Sequence, residues 1–159
     1  MKASTSKLIS NDAIDLSLLI SDNFNMDTLT APMEMFARAD LLRYRNQREE
    51  ALATLDSLTL AFPGHTLEDE ILLIRAEIAE QRGQFDVALG HYEDILGLYF
   101  MDILADDALF GMAKIHDVQL GDPDAAQSLY ERLLNEFPGS LYVVEARKRF
   151  RSLRGDILE

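Results

Sequence analysis

Apolar residues recur at three- and four-residue spacing along most of this chain of 159 residues. This spacing places them on one side of an α-helix and leaves the polar residues on the other side. Pro and Gly interrupt the pattern, and a Phe-Pro-Gly sequence ends two of the apolar runs, at 62–64 and 137–139. The pattern therefore predicts an all-helical protein whose short helices are joined by tight turns.

The helices are predicted to form antiparallel pairs, because helices this short joined by such short turns fold back on one another. Gly121 and Gly155 can take the left-handed conformation that closes a helix, and Thr66, Asp122 and Ser140 can cap the helices that follow them. The predicted pairs are 32–47 with 49–62, 67–82 with 85–99, and 102–120 with 123–137, followed by a last helix at 141–154.

An internal repeat runs through these pairs. Ala39, Ala76 and Ala113 are separated by 37 residues each, and Ala146 follows 33 residues later. The second helices repeat as well, and the third pair carries about one extra residue, at the Gly121 turn. We expect the small alanines to lie where two helices approach closely, with larger residues between pairs. The repeated positions of the second helices are Ala51, Ala88 and Ala126, Leu55, Tyr92 and Tyr130, Leu58, Ile95 and Leu133, and Phe62, Tyr99 and Phe137.

Residues 30–155 resemble the tetratricopeptide repeat, which has a small residue in its first helix, an alanine early in its second, an aromatic residue four positions later and a closing proline. The matching residues are Ala39, Ala51, Leu55 and Pro63, then Ala76, Ala88 and Tyr92, then Ala113, Ala126, Tyr130 and Pro138. Trp is absent, Phe100 replaces the middle proline, and the period exceeds the usual value of about 34. The resemblance implies a right-handed superhelical solenoid of antiparallel helix pairs.

The Phe-Pro-Gly-Ser turn and the Val-Val-Glu-Ala-Arg that follows it are also similar to repeats of bacterial envelope tetratricopeptide proteins. That similarity implies a periplasmic or envelope location, with the cytoplasm as the alternative. No signal peptide and no membrane span is found in the sequence.

By length the chain is one domain. Its predicted parts are a tail at 1–10, an N-terminal helix and connector at 11–29, the repeats at 30–155 and a tail at 156–159. Ala13, Ile20 and Phe24 each stand 38 residues before a second-helix position of the first pair. This alignment predicts that the chain is the C-terminal part of a longer repeat protein, the alternative being an ordinary N-terminal capping helix. Self-association through this helix is a further expectation.

The charge is strongly negative, −13, which argues against nucleic-acid binding because phosphate would be repelled. It is also uneven: 25 acids face 10 bases up to Gly139, whereas residues 140–159 hold three acids and five bases. No Cys is present, which excludes disulfides and thiolate metal sites.

No catalytic or metal-binding pattern stands out. His65, His91 and His116 lie in different repeats and are interpreted as surface histidines. A run of Asp22, Asn25 and Asp27 lacks the Gly and Glu of a calcium loop. The acids Asp106 and Asp107 suit the dipole of a helix start better than a catalytic pair. We therefore expect no cofactor, no metal and no enzymatic activity.

The family resemblance implies that the first helices line a concave surface that receives an extended peptide or a partner helix. An alternative interpretation is that Phe36 and Phe110 belong to the core. The function predicted is a non-catalytic scaffold for protein–protein interaction, and the alternative is a structural spacer or cap in a larger assembly. The candidate groove consists of an apolar row, Phe36, Leu73, Phe110 and Val143, a charged row, Asp40, Glu77, Lys114 and Arg147, and a further row, Arg43, Glu80, Asp117 and Phe150.

Overall fold

The computed structural model describes residues 30–99 and 103–156. Throughout these ranges the regular structure is helical, which confirms the predicted all-α class of antiparallel, tetratricopeptide-like pairs. The predicted tail, helix and connector before Thr30 lie outside the described residues, and so do Asp22, Asn25, Asp27, Phe100 and the last three residues. The helices are α1 Thr30–Tyr44, α2 Arg48–Ala61, α3 Glu68–Gln81, α4 Phe85–Leu98, α5 Ala105–Lys114, which continues as a π-helix at Ile115–Leu120, α6 Pro123–Glu136 and α7 Val143–Arg154.

The chain divides into two compact units between Glu68 and Asp69. In the first unit α1 packs on α2, and the repeated alanines Ala39 and Ala51 are both fully buried. The turn between these helices is closed by Asn46, which takes the left-handed conformation with φ 60°. Asn tolerates this conformation better than other residues with a side chain. Asn46 thus stands where the later pairs have Gly83 and Gly121.

Two clusters of buried residues form the core of the second unit. The first joins α3, α4 and α5, and the second joins α5, α6 and α7. Helix α5 therefore contributes to both clusters from different sides. Small residues dominate the sites of closest approach, as the repeat predicts, because they let helix axes come together. The repeated alanines of this unit, Ala76, Ala88, Ala113, Ala126 and Ala146, are all fully buried.

The extra residue of the third pair lies inside its first helix, not in the turn where the sequence suggested it. Ala39 precedes Asn46 by seven residues and Ala76 precedes Gly83 by seven, but Ala113 precedes Gly121 by eight. The turn that follows keeps the same length in all three pairs. A six-residue π-helix accommodates the insertion, since π-helical hydrogen bonds span one more residue than α-helical ones.

The hydrogen bonds that close the first helix of each pair also show the inserted residue. The amide of Gln47 donates to the carbonyl of Leu42, and the amide of Gln84 donates to that of Ala79, both at 2.9 Å and five residues back. Such a bond is the signature of a Schellman closure. The amide of Asp122 instead reaches six residues back, to the carbonyl of His116, also at 2.9 Å.

Of the predicted caps, Asp122 is confirmed, because its Oδ1 accepts from the amide of Ala125 at 3.1 Å. The prediction for Ser140 is wrong: α7 begins at Val143, and the Ser140 hydroxyl oxygen accepts from the amide of Tyr142 within the preceding turn. In the turn before α3, His65 Nδ1 accepts from the amide of Leu67 at 3.2 Å.

Candidate protein-interaction surface

In the first unit the candidate groove residues are either buried or paired with each other. Phe36 is only 6% exposed, so its ring offers little surface to a ligand. The guanidinium of Arg43 lies 2.7 Å from the carboxylate of Asp40, one helical turn away on α1. These two charges offset each other locally.

Helix α3 supplies three candidates to the second unit, and they differ in what they contact. Leu73 is half-buried and packs against the first core cluster. The carboxylate of Glu80 accepts a hydrogen bond from the hydroxyl of Tyr92 at 2.5 Å, across the helix pair. Glu77 lies one turn before Glu80 and is half-exposed. Leu73 and Glu77 thus keep accessible surface, whereas Glu80 is committed to an internal bond.

On α5, Phe110 stacks face to face on Tyr142, with ring centroids 4.4 Å apart and planes inclined by 10°. The ammonium of Lys114 lies 5.9 Å from the centroid of the Phe110 ring, within the range of a cation–π contact. Lys114 is exposed, and Phe110 remains half-buried. Phe110 therefore packs on the core with one part of its ring and leaves another part accessible.

Asp117, in the π-helix, already has a hydrogen-bond partner and an ion-pair partner within the protein. Its carboxylate accepts from the Tyr130 hydroxyl at 3.3 Å and lies 3.6 Å from a guanidinium nitrogen of Arg149 on α7. The side chain is mostly buried. Arg147, two residues before Arg149, is exposed. Of the candidates on α5 and α7, Phe110, Lys114 and Arg147 are accessible and Asp117 is not.

Acidic side chains surround two tyrosine hydroxyls in this unit. Burial raises the pKa of Tyr92, and the hydrogen bond to Glu80 and the charges of Glu77 and Asp107 raise it further. Burial likewise raises the pKa of Tyr142, together with a hydrogen bond to Asp107 and the charges of Asp106 and Glu77. Glu77 of α3 and the two aspartates of α5 therefore act on the same region.

Sequence reasoning missed the bonds that tyrosines make with carboxylates. The signal was present, since Tyr92 follows Glu80 by twelve residues and Tyr130 follows Asp117 by thirteen, the difference being the inserted residue. The aspartates predicted to suit a helix start do lie in the first turn of α5. Asp107 additionally accepts a hydrogen bond from the hydroxyl of Tyr142, 35 residues later. No pattern within one repeat could indicate that contact.

The histidines are predicted to be surface residues, and for His65 that is wrong, because it is buried and its ring accepts a hydrogen bond from the amide of Leu67. Burial and the nearby charge of Arg75 lower the pKa of His91. Among residues 30–99 and 103–156, no group of three or more His, Cys, Asp or Glu side chains is arranged to hold a metal ion. No helix in those ranges has both the length and the apolar character needed to cross a bilayer.

Comparison with protein families supplies the decisive observation. Residues 36–100 match one model of the tetratricopeptide repeat, and residues 107–140 match another. The chain is a tetratricopeptide repeat protein. The first match covers the tetratricopeptide pairs α1–α2 and α3–α4, and the second covers the pair formed by α5, the π-helix and α6. A search of curated proteins finds no match.

Tetratricopeptide repeats generally mediate protein–protein interactions, and their family is generally non-catalytic. A scaffold that binds protein partners is therefore the coarse function of this chain. The accessible side chains of α3, α5 and α7 are the ones on which a more specific proposal can rest.

Proposed function

We propose that this tetratricopeptide repeat protein binds an extended peptide or a helix of a protein partner on the face formed by the first helices of its second unit. By resemblance to the family, that face is the concave side of the repeats. The proposal centres on the second unit, where Leu73, Glu77, Phe110, Lys114 and Arg147 are half-exposed or exposed. Within the first unit, the candidates Phe36, Asp40 and Arg43 offer less to a ligand, because one is buried and the other two pair together.

The observation that carries the proposal is the incomplete burial of the apolar row. Leu73, Phe110 and Val143 each pack on a core cluster while staying partly accessible, although each belongs to a repeated position. The repeated alanines of the same helices, Ala76 and Ala113, are fully buried by contrast. An apolar row that is half covered by its own core suits anchor residues of a ligand.

The charged side chains of this face would favour one orientation of the bound ligand. Glu77 on α3 and Asp106 and Asp107 in the first turn of α5 carry negative charge, whereas Lys114 in the last turn of α5 and Arg147 on α7 carry positive charge. A partner with apolar anchors would then carry basic residues at one end and acidic residues at the other. Charge complementarity of this kind mainly sets orientation and association rate.

A purely structural role as a spacer or cap is the second candidate, and the first unit favours it. There Phe36, the aromatic residue of the apolar row, is buried, and the Asp40–Arg43 pair leaves no net charge at those two positions. A chain whose second unit behaved in the same way would have no ligand of its own.

The test uses the full chain to select peptides from a random display library, followed by affinity measurements on the selected peptides. Glu77→Lys should weaken binding at least tenfold, about 1.4 kcal/mol, at low salt. Glu80 is a poor choice for this substitution because it accepts the Tyr92 hydrogen bond, so its loss would also change stability.

The matched control is Glu93→Lys, the same change at an exposed position of the second helix α4. Both variants should melt at nearly the temperature of the parent chain. If Glu77→Lys and Glu93→Lys bind the peptides equally well, the first-helix face is not the binding surface and the structural role remains.

A further inference from the structure

A row of side chains on α7 and the turn before it lies on a side of the helix that no described element covers. Val144, Lys148 and Arg151 follow one another at spacings of four and three residues, which places them along one side of α7, and Leu141 lies three residues before Val144 in the preceding turn. Leu141 is 87% exposed and Val144 is 79% exposed. Two large apolar side chains are therefore open to solvent next to each other on this side of α7.

The opposite side of α7 is the one that packs. Ala146 is fully buried in the second core cluster, and Val143, Phe150 and Leu153 are half-buried against it. Through that side α7 contacts α6, and Arg149 reaches the π-helix by its ion pair with Asp117. The row from Leu141 to Arg151, which we call the outer face of α7, therefore makes no contribution to the core of its own unit.

The bases of the outer face also differ from the other bases of α7. Arg149 pairs with Glu145 at 3.1 Å, and Arg154 pairs with Asp156. Within the described part of the chain, neither Lys148 nor Arg151 forms an ion pair. Two open cationic side chains thus continue the line of two open apolar ones, in a protein whose net charge is −13.

We propose that the outer face of α7 docks an acidic amphipathic helix of a partner protein. Carboxylates of that helix would lie over Lys148 and Arg151, and apolar residues on the same side would cover Leu141 and Val144. An antiparallel orientation places the carboxylates in the N-terminal half of the partner helix, where the helix dipole also favours them. The outer face includes none of the groove residues of α3 and α5, although the groove candidate Arg147 lies beside it on α7, so substitutions on α3 distinguish the two proposals.

A second copy of this chain is a poor occupant through the same face. Two outer faces packed in parallel would bring bases onto bases, and packed antiparallel they would bury Lys148 and Arg151 against Leu141 and Val144. In each arrangement the cationic groups would lose their contact with water and gain no opposite charge in return. That is unfavourable. The complementary surface has to be acidic.

The test uses a fluorescent synthetic helix of about 18 residues, long enough to form in an alanine-rich background. One side carries two glutamates a turn apart in the N-terminal half and two leucines a turn apart in the C-terminal half. A control peptide has lysines in place of the two glutamates. Fluorescence anisotropy with the full chain at low salt should show saturable binding of the first peptide and at least tenfold weaker binding of the second.

Charge reversal of the protein then assigns the site. Lys148→Glu with Arg151→Glu should weaken binding of the glutamate peptide at least tenfold and strengthen binding of the lysine peptide. The matched control is Arg38→Glu with Arg45→Glu, two exposed bases outside α7, which changes the net charge equally and should leave the affinity within about twofold.

Three results would overturn the proposal: no saturable binding of the glutamate peptide, equal loss in the two charge-reversed proteins, or self-association of the chain that Leu141→Glu with Val144→Glu abolishes. The last is measured by sedimentation equilibrium of the chain alone and would assign the face to a second copy. Retained peptide binding in Glu77→Lys would separate this site from the first-helix groove.

Discussion

The hydroxyl of Tyr92 donates to the carboxylate of Glu80 at 2.5 Å, and the hydroxyl of Tyr130 makes the equivalent bond with Asp117 in the next pair. Each bond joins the end of a first helix to the middle of the second helix of the same pair. In the first pair Leu55 and Arg43 hold these positions, so the bond is absent there. These bonds connect the two helices of each later pair.

Removing the Tyr92 hydroxyl should therefore cost stability. Tyr92→Phe leaves the Glu80 carboxylate without this donor, and bonds to charged groups contribute about 1.5–3 kcal/mol. Urea unfolding should show a loss of that size. The control Tyr44→Phe removes a hydroxyl from a side chain that is 83% exposed and should change the free energy of unfolding by less than about 0.5 kcal/mol. Equal effects of the two substitutions would show that the hydroxyl of Tyr92 has no special role.

Gly111 is required by the same tyrosine. A Cβ atom at position 111 would lie 2.5 Å from Cζ of Tyr92, with the hydroxyl oxygen at 2.7 Å. Gly111→Ala should therefore destabilise the chain by about 1–3 kcal/mol, even though Ala has the higher helix propensity. Gly97→Ala, on α4 with no atom within 4 Å of the added Cβ, should stabilise it by about 0.5–1 kcal/mol. A stabilising Gly111→Ala would contradict the close packing of Tyr92 on α5.

Deleting one residue from the π-helix should be tolerated. Without Gln119, which is exposed, the helix would close in α-helical register, and Asp117 would precede Tyr130 by twelve residues, as Glu80 precedes Tyr92. We expect circular dichroism to show a folded protein that loses less than about 1 kcal/mol. Deleting Gln81 from the regular helix α3 is the control and should cost more than about 3 kcal/mol, since it disrupts the closure at Gly83. Similar losses in both deletions would mean that the π-helix is not a simple insertion.

Alkaline pH should unfold the chain through its buried tyrosines. Burial together with nearby carboxylates raises the pKa of Tyr92, Tyr130 and Tyr142 above the ordinary value of 10.0. Because the folded-state pKa is the higher one, the stabilisation is fully present below pH 10 and is lost as the pH rises above it. Absorbance of tyrosinate and helical circular dichroism should then change together. Ionisation of all tyrosines near pH 10 with the helices intact would contradict this prediction.

Much of the fold could be predicted because the core residues of each repeat recur at short, regular spacing in the sequence. The alanines at 39, 76, 113 and 146 indicated the close helix contacts, and all four are fully buried. The left-handed turn at Asn46 was missed because Asn takes that conformation less often than Gly. The insertion was detected but placed in the turn, because residue counts alone do not distinguish a longer turn from a π-helix.

The candidate surface was less predictable. The rows came from family resemblance, which assigns positions but not their local partners. Whether Glu80 and Asp117 are open or bonded depends on tyrosines twelve and thirteen residues away. The stacking of Phe110 on Tyr142 depends on the following repeat, 32 residues later. Such contacts follow from the packing of successive pairs, so spacing within one repeat could not reveal them.

The most direct test of the central claim is hydrogen–deuterium exchange of the full chain with and without a bound peptide from the display selection. A ligand on the first-helix face should slow exchange in α3 and α5, and leave the second helices α4 and α6 nearly unchanged. Protection confined to α4 and α6, or to α7 alone, would contradict the claim that the partner binds on the first helices of the second unit.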